Sequence, residues 1–308
     1  MGWTPTASAA TDATNRRGMD ADALRRAKEE YDRDGFCVVR GFLAGAALEE
    51  AQWRAQHYLS AIAPGKPDAE VAYLDRERPE TVVAVFKMNE TEYWRALPWS
   101  PDWLSLASAC AGTTAIHPKG FETDPATGQR FAGGLQLLNK GPRGASVPTP
   151  PHQENWYFNI ANGESPTLWV ALEAVDEANG TLRYLPGSHR KPLRKHSLSD
   201  LVGFSQTAEW TDADTAAEVA LTLAPGDCVV HHVGVLHRAD ANCAPDRSRL
   251  AIGCVFQADS CTLDPVGYQR HLADLKQHNP PAWARAVADW EDAPEALRAE
   301  ALEVSSRL

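Results

Sequence analysis

Between about residues 113 and 257 the chain is cut into short extended stretches by turn-forming Gly, Pro, Asn and Asp. They fall at 134–140, 152–160, 167–174, 181–185, 218–223, 228–232 and 249–256. Many short strands with turn punctuation pair into an all-β sandwich or barrel. A long, mixed, polar stretch at 190–215 interrupts the series and suits a lid or binding loop.

Helical patterns flank this region. At 20–32, Leu24, Ala27 and Tyr31 share one face, Asp20 or Asp22 is available as a cap, and Gly35 ends the helix. Leu48, Ala51, Ala55, Leu59 and Ile62 mark a second helix over 46–62, and 103–111 a third. Short strands are expected at 36–39 and 81–88. From 264 onward the pattern returns to helix, with Leu272 and Leu275 and then 293–303. With no repeat and no linker, residues 19–308 read as one mainly β domain with flanking helices, after a disordered tail at 1–18.

The 308 residues suffice for one sizeable core, and no apolar run approaches a membrane span. A formal charge of -11 argues against nucleic acid and anionic membranes and for a small-molecule partner. The chain is expected to be a monomer or weak homodimer. Its six cysteines form no Cys-x-x-Cys pair, and several sit in apolar runs. They read as small buried hydrophobes of a reducing compartment, and without a secretory-type segment the expected location is cytoplasmic.

Within the β region lies Pro150-Pro151-His152-Gln153-Glu154-Asn155-Trp156-Tyr157-Phe158. On an extended strand, residues two apart project to the same side, so His152 and Glu154 can reach one divalent metal. The best source of a third ligand is the run from Gly226 to His237, where His231, His232 and His237 cluster. Two histidines and a carboxylate on one face of a metal make the facial set of non-haem Fe(II) oxygenases. Three protein ligands leave positions for an α-keto acid and O2. Arg249 suits the remote carboxylate of such a keto acid, because arginine binds carboxylates bidentately and stays charged when partly buried.

Several runs extend this reading. Asp32 to Leu43, the run Asn179-Gly180-Thr181-Leu182-Arg183-Tyr184-Leu185-Pro186-Gly187-Ser188-His189, and the block Gly226-Asp227, His237, Asn242, Arg249-Leu250-Ala251 together resemble the phytanoyl-CoA dioxygenase family of Fe(II)/2-oxoglutarate oxygenases, from about Tyr31 to Phe256. The resemblance implies a double-stranded β-helix (jelly-roll, cupin-like) core with the metal at its mouth. It implies His152, Glu154 and His237 as iron ligands, His232 replacing His237 if that assignment fails, and Arg249 as the clamp on 2-oxoglutarate. Lys140, Gln136 and Thr167 are further co-substrate candidates, and Trp169 lies on the same pocket-lining strand as Thr167. His189 is expected to be structural, and His231 and His232 not to ligate the metal, with one of them beside the ligands or lining the pocket.

Two positions depart from the family pattern. Glu154 stands where most relatives have Asp, so a longer arm must reach the iron. Ala239 stands where relatives often carry a serine hydroxyl. The expected activity is oxidation, by default hydroxylation, of an unactivated C–H bond in a small soluble metabolite, with secondary metabolism as the expected setting, coupled to conversion of 2-oxoglutarate to succinate and CO2. Trp156 and Tyr157 are candidate substrate contacts, and the basic cluster Arg190, Lys191, Arg194, Lys195 and His196 is a candidate anion-recognition loop. The competing readings are a silent barrel of the same fold that binds a small molecule or iron, and a cupin-like metalloenzyme that needs no keto acid. Arg249 argues against both.

Overall fold

A computed structural model describes residues 19–306 except 68–69, 87, 89, 120–121, 124–129, 132–134, 205 and 279–294. The expected tail at 1–18 and the start of the expected helix at 293 lie outside the described residues. The first half runs α1 (Ala21–Asp34), β1 (Phe36–Val39), α2 (Gly45–His57), β2 (Val71–Tyr73), β3 (Val82–Val85), α3 (Glu92–Ala96), α4 (Pro101–Ala111), β4 (Ile116–Pro118), β5 (Glu122–Thr123), β6 (Arg130–Phe131), β7 (Leu135–Lys140), β8 (Thr149–His152) and α5 (Asn155–Phe158). There follow β9 (Ile160–Asn162), β10 (Thr167–Ala171), β11 (Leu182–Tyr184), β12 (His196–Leu198), β13 (Gln206–Ala208), α6 (Asp212–Ala217), β14 (Val219–Ala220), β15 (Cys228–His231), β16 (His237–Ala239), β17 (Arg249–Ala258), β18 (Thr262–Leu263), α7 (Pro265–His278) and a last helix at Glu295–Ser306.

The strands form an eight-stranded sheet in the order β1-β15-β10-β17-β7-β3-β2, with β4 also on β17, and a four-stranded sheet in the order β14-β11-β16-β8. Every pairing in both is antiparallel. Alternation along each strand sorts the side chains between two environments. Leu168, Val170, Val230, Leu250, Ile252 and Cys254 face outward into a core shared with Tyr31, Ala51, Trp103 and Leu106 of the helices. Burying each large aliphatic there is worth about 1.5–3 kcal/mol. Trp169, Ala171, Val229 and Ala251 face inward and meet Leu182, Tyr184 and Ala239 of the small sheet. The two sheets thus close face to face as a double-stranded β-helix, with functional side chains on the inner faces.

Local chemistry sets the helix ends. Asp20 caps α1 by accepting from the Asp22 amide at 3.4 Å. Gly35 closes it at φ +84, and a Cβ there would fall 2.4 Å from the His189 ring. His189 and Arg190 bond the Asp32 carbonyl, and the Gly187 amide bonds that of Asp34. The Pro-Gly-Ser-His turn therefore finishes the α1 C-terminus, whose carbonyls would otherwise lack partners.

One expectation is corrected. Residues 152–160 are not one strand: β8 ends at His152 and Glu154 has helical angles (φ -53, ψ -35) at the start of α5. Asn155 stabilises this turn by accepting from the Ile160 amide and donating to its carbonyl. Among the cysteines, all free, Cys37, Cys110, Cys228 and Cys254 are buried, whereas Cys243 is exposed.

Candidate metal centre and anion pocket

Sheet register explains how distant residues meet. On the small sheet, His152 of β8 is the direct cross-strand partner of His237 of β16, and His237 is the partner of Tyr184 of β11. Opposite them on the large sheet runs a second row: His231 of β15 faces Thr167 of β10, which faces Val255 of β17. The Tyr184 hydroxyl bridges the sheets by bonding His231 Nδ1 at 2.9 Å.

Glu154 enters between the rows. Its Oε1 lies 3.8 Å from His152 Nε2, 4.0 Å from His237 Nε2 and 3.8 Å from His231 Nε2. Ligand atoms of His152, Glu154 and His237 all fall within 4.8 Å of one another, a spacing that could hold one metal ion. The remaining ring nitrogens are committed: His152 Nδ1 bonds the Pro150 carbonyl at 2.9 Å and His237 Nδ1 that of Val235 at 3.1 Å. A carbonyl only accepts, so each Nδ1 carries a proton and each Nε2 is the nitrogen left facing the centre. Burial, with the neighbouring His152 and His231, holds His237 well below its ordinary value, so it stays neutral. Burial opposes charge on Glu154, but His152, His231 and His237 outweigh it and hold the carboxyl well below its usual range. Two imidazoles and one carboxylate suit a divalent first-row metal. The arm that sequence alone made too long for the strand fits because its backbone has already left the strand.

The inner face leads away from this centre in ordered rows. The first holds His231, Thr167 and Val255; the next Trp169, Gly253 and Gln136; then comes Leu138; the last pairs Arg249 of β17 with Lys140 of β7. All nine residues line one cavity of about 110 Å³ that also reaches His152, Glu154 and His237. At the far end Arg249 is 4% exposed and Lys140 2%. Arg249 sits 5.2 Å over the Trp169 ring and its Nε has no hydrogen-bond partner. Lys140 Nζ donates to the Val147 carbonyl at 2.6 Å. Among the described residues no carboxylate forms an ion pair with either. Burial lowers Arg249 to about 10, and burial together with Arg249 pushes Lys140 well below its ordinary value. Glu173 and Asp240 act on these two buried cations only at longer range, so neither is ion-paired among the described residues and the pair could receive an anion.

The recognisable motifs buttress this end. Gly180, at φ +89, is where a Cβ would come within 2.7 Å of both Lys140 Cδ and the Asp240 carbonyl oxygen. Asn179 bonds the Ser248 carbonyl beside Arg249, and Asn242 bonds the Lys140 and Arg247 carbonyls. Ser188 accepts from the Leu236 amide, fixing the approach to His237.

The structure brings His152, Glu154, His237, Arg249, Lys140, Gln136 and Thr167 to one cavity. Trp156 and Tyr157, expected to contact substrate, do not line it. The Trp156 ring stacks on His196 and bonds Gln206, and the Tyr157 hydroxyl bonds the Gln206 carbonyl, so both hold the β12–β13 hairpin. Within the basic cluster, Arg194 forms a bidentate pair with Asp214 and is not a free anion receptor. His232 packs between Tyr31 and His189, away from the metal set. His231, considered in the sequence for a place beside the ligands or in the pocket, lines the cavity, and two further lining residues were not singled out there. Phe204 packs against the His152 ring at 5.8 Å from the 190–215 stretch. Thr149 stands directly across from Ala239 and offers the hydroxyl that Ala239 lacks. Only strand register exposes that substitution.

A double-stranded β-helix with two histidines and a carboxylate at one end of its inner cavity defines the fold class of the 2-oxoglutarate-dependent oxygenases. Within that class the chain belongs to the phytanoyl-CoA dioxygenase (PhyH) family, whose model matches residues 31–251. It is 30% identical over 95 residues to Phytanoyl-CoA dioxygenase 1 of Oryza sativa subsp. japonica, covering 31% of this chain and 34% of that one. It is 31% identical over 133 residues to the peroxisomal phytanoyl-CoA dioxygenase of Bos taurus, covering 41% and 39%. The matched stretches thus span between a third and two fifths of these relatives. Among solved structures it resembles the epimerase SnoN in complex with Fe3+, alpha ketoglutarate and nogalamycin RO, with 26% identity, a TM-score of 0.60, and coverage of 80% of this chain and 88% of that one. Among the described residues no helix is long and apolar enough to cross a membrane.

Proposed function

We propose that the chain is an Fe(II)/2-oxoglutarate-dependent oxygenase that oxidises a C–H bond of a small molecule, by default through hydroxylation. The observation that carries this reading is one cavity with a three-donor metal set at one end and two buried cations without ion-pair partners among the described residues at the other. A dicarboxylate with a keto group next to one carboxylate matches both ends at once. When bound, the iron and 2-oxoglutarate supply the oxidising chemistry, in which O2 is consumed and the keto acid leaves as succinate and CO2.

The chain's own residues bind, orient and exclude water. His152 and His237 hold the metal through Nε2 and Glu154 through its carboxylate. Tyr184 orients His231, whose Nε2 faces Glu154 and steadies the carboxylate on its side. Arg249 and Lys140 hold the distal carboxylate of the keto acid, with the Thr149 hydroxyl nearby, and Gln136 and Thr167 line the path between the ends. Trp169 packs beneath the Arg249 guanidinium and removes water from it. The 190–215 stretch covers the metal set through Phe204.

The test is 2-oxoglutarate turnover by the purified chain. Slow succinate formation should require added Fe(II) and stop with a chelator. Iron-independent succinate formation, or none under any iron loading, would contradict the proposal.

A further inference from the structure

The row that ends at the metal set continues one strand further. β4 pairs with β17 with Pro118 opposite Phe256, and the Lys119 amide donates to the Val255 carbonyl at 2.8 Å. Lys119 therefore stands directly across from Val255, and cross-strand partners project to the same face. Val255 lines the cavity, and Lys119, on the same side of the sheet, extends the line of His231, Thr167 and Val255 one strand past the cavity's lining residues. Three strand spacings, roughly 14 Å, separate its backbone from that of His231.

The side chain reaches back toward the metal set. Lys119 Nζ lies 3.6 Å from the ring centroid of Phe158, four residues beyond Glu154, and feels the Glu154 carboxylate electrostatically. Among the described residues no carboxylate lies within ion-pairing distance of it and no hydrogen bond satisfies it. Its partial burial brings the ammonium down to about 8, so it is still mostly protonated near neutrality. An aromatic face returns only about 0.5–2 kcal/mol to such a cation, less than an ion pair in the same place would. Lys140 and Arg249 are fully buried and mark the co-substrate end; Lys119 is a half-buried cation without an ion-pair partner among the described residues at the opposite end, where the co-substrate's distal carboxylate cannot reach.

We propose that Lys119 anchors the primary substrate, and that this substrate carries a carboxylate on the side facing Phe158. A single ammonium matches a monoanion, and the Phe158 ring beside it accommodates the carbon skeleton next to that group. The proposal rests on the oxygenase reading above and names its substrate class: small carboxylic acids rather than neutral or cationic metabolites.

The test uses the wild-type chain loaded anaerobically with Fe(II) and 2-oxoglutarate, so that the metal and the far cations are occupied. Lysines are carbamylated with cyanate and followed by peptide mass spectrometry, in acetate, in acetamide, and in chloride at matched ionic strength. Acetate should slow modification of Lys119 roughly tenfold at about ten times its dissociation constant, as expected for simple site occupancy. Acetamide and chloride should have no such effect, and exposed Lys191 should react equally in all three. Equal reaction of Lys119 in acetate and acetamide, or resistance in every condition, would make it a structural cation closed off by Phe158 and overturn the proposal. Failure of the oxygenase reading shows separately, as absence of 2-oxoglutarate binding in the same sample before cyanate is added.

Discussion

The two ends of the cavity are built by different means. At the metal end the donors come from where regular structure stops: the last residue of β8, the first helical residue after it and the first residue of β16. At the cation end Arg249 and Lys140 are paired in register on two long adjacent strands, held by Asn179, Gly180 and Asn242. The metal end needs lone pairs converging on a point, which a strand cannot supply from one edge, so the chain turns. The cation end needs two charges kept apart from water, which a packed sheet does well and a turn does poorly.

This contrast predicts that damage at one end is distinguishable from damage at the other. The largest effect is expected for Glu154→Ala: loss of iron affinity beyond the roughly 10–100-fold typical of changes around a metal's ligands, because a ligand itself is removed. Equilibrium dialysis reads it, and unchanged iron retention would take Glu154 out of the metal set. Lys140→Met should leave iron binding intact and weaken 2-oxoglutarate by about tenfold, or ~1.4 kcal/mol. It should also change the pH dependence. Burial and Arg249 lower Lys140, so raising pH through that lowered value removes its proton and wild-type affinity should fall across the range well below the ordinary lysine value. Arg249, lowered only to about 10, keeps its charge across that range. The Lys140→Met profile should be flatter, and an unchanged slope would assign the titration elsewhere. The smallest effect is expected for Gly180→Ala, where a positive φ and the contact with Lys140 should cost about 1–3 kcal/mol in thermal unfolding and weaken 2-oxoglutarate a few-fold. A stable variant with unaltered binding would show that Lys140 can shift without consequence.

The same contrast explains what was legible in the sequence. Arg249 and Lys140 lie on strands whose alternation could be read, and the Asn-Gly and Pro-Gly-Ser-His runs are distinctive because each serves a contact only certain residues permit. His152 and Glu154 were identified through their chemistry, but strand geometry was the wrong reason for their convergence, because Asn155 directs a helical turn that no periodicity announces. The pairing of His152 with His237, of Ala239 with Thr149 and of Val255 with Lys119 depends on strand register. Register is set by the whole sheet, so it is not written in any local stretch.

The central claim is that one cavity joins a metal end to a carboxylate-binding end, and the chelate spectrum tests it most directly. Anaerobic addition of Fe(II) and then 2-oxoglutarate should produce a weak visible charge-transfer band. Arg249→Ala should raise the 2-oxoglutarate concentration needed for the band by on the order of a hundredfold. Arg247→Ala, which removes an arginine paired on the surface with Asp176, should leave it unchanged. No band in the wild-type chain, or equal bands in the two variants, would contradict the account.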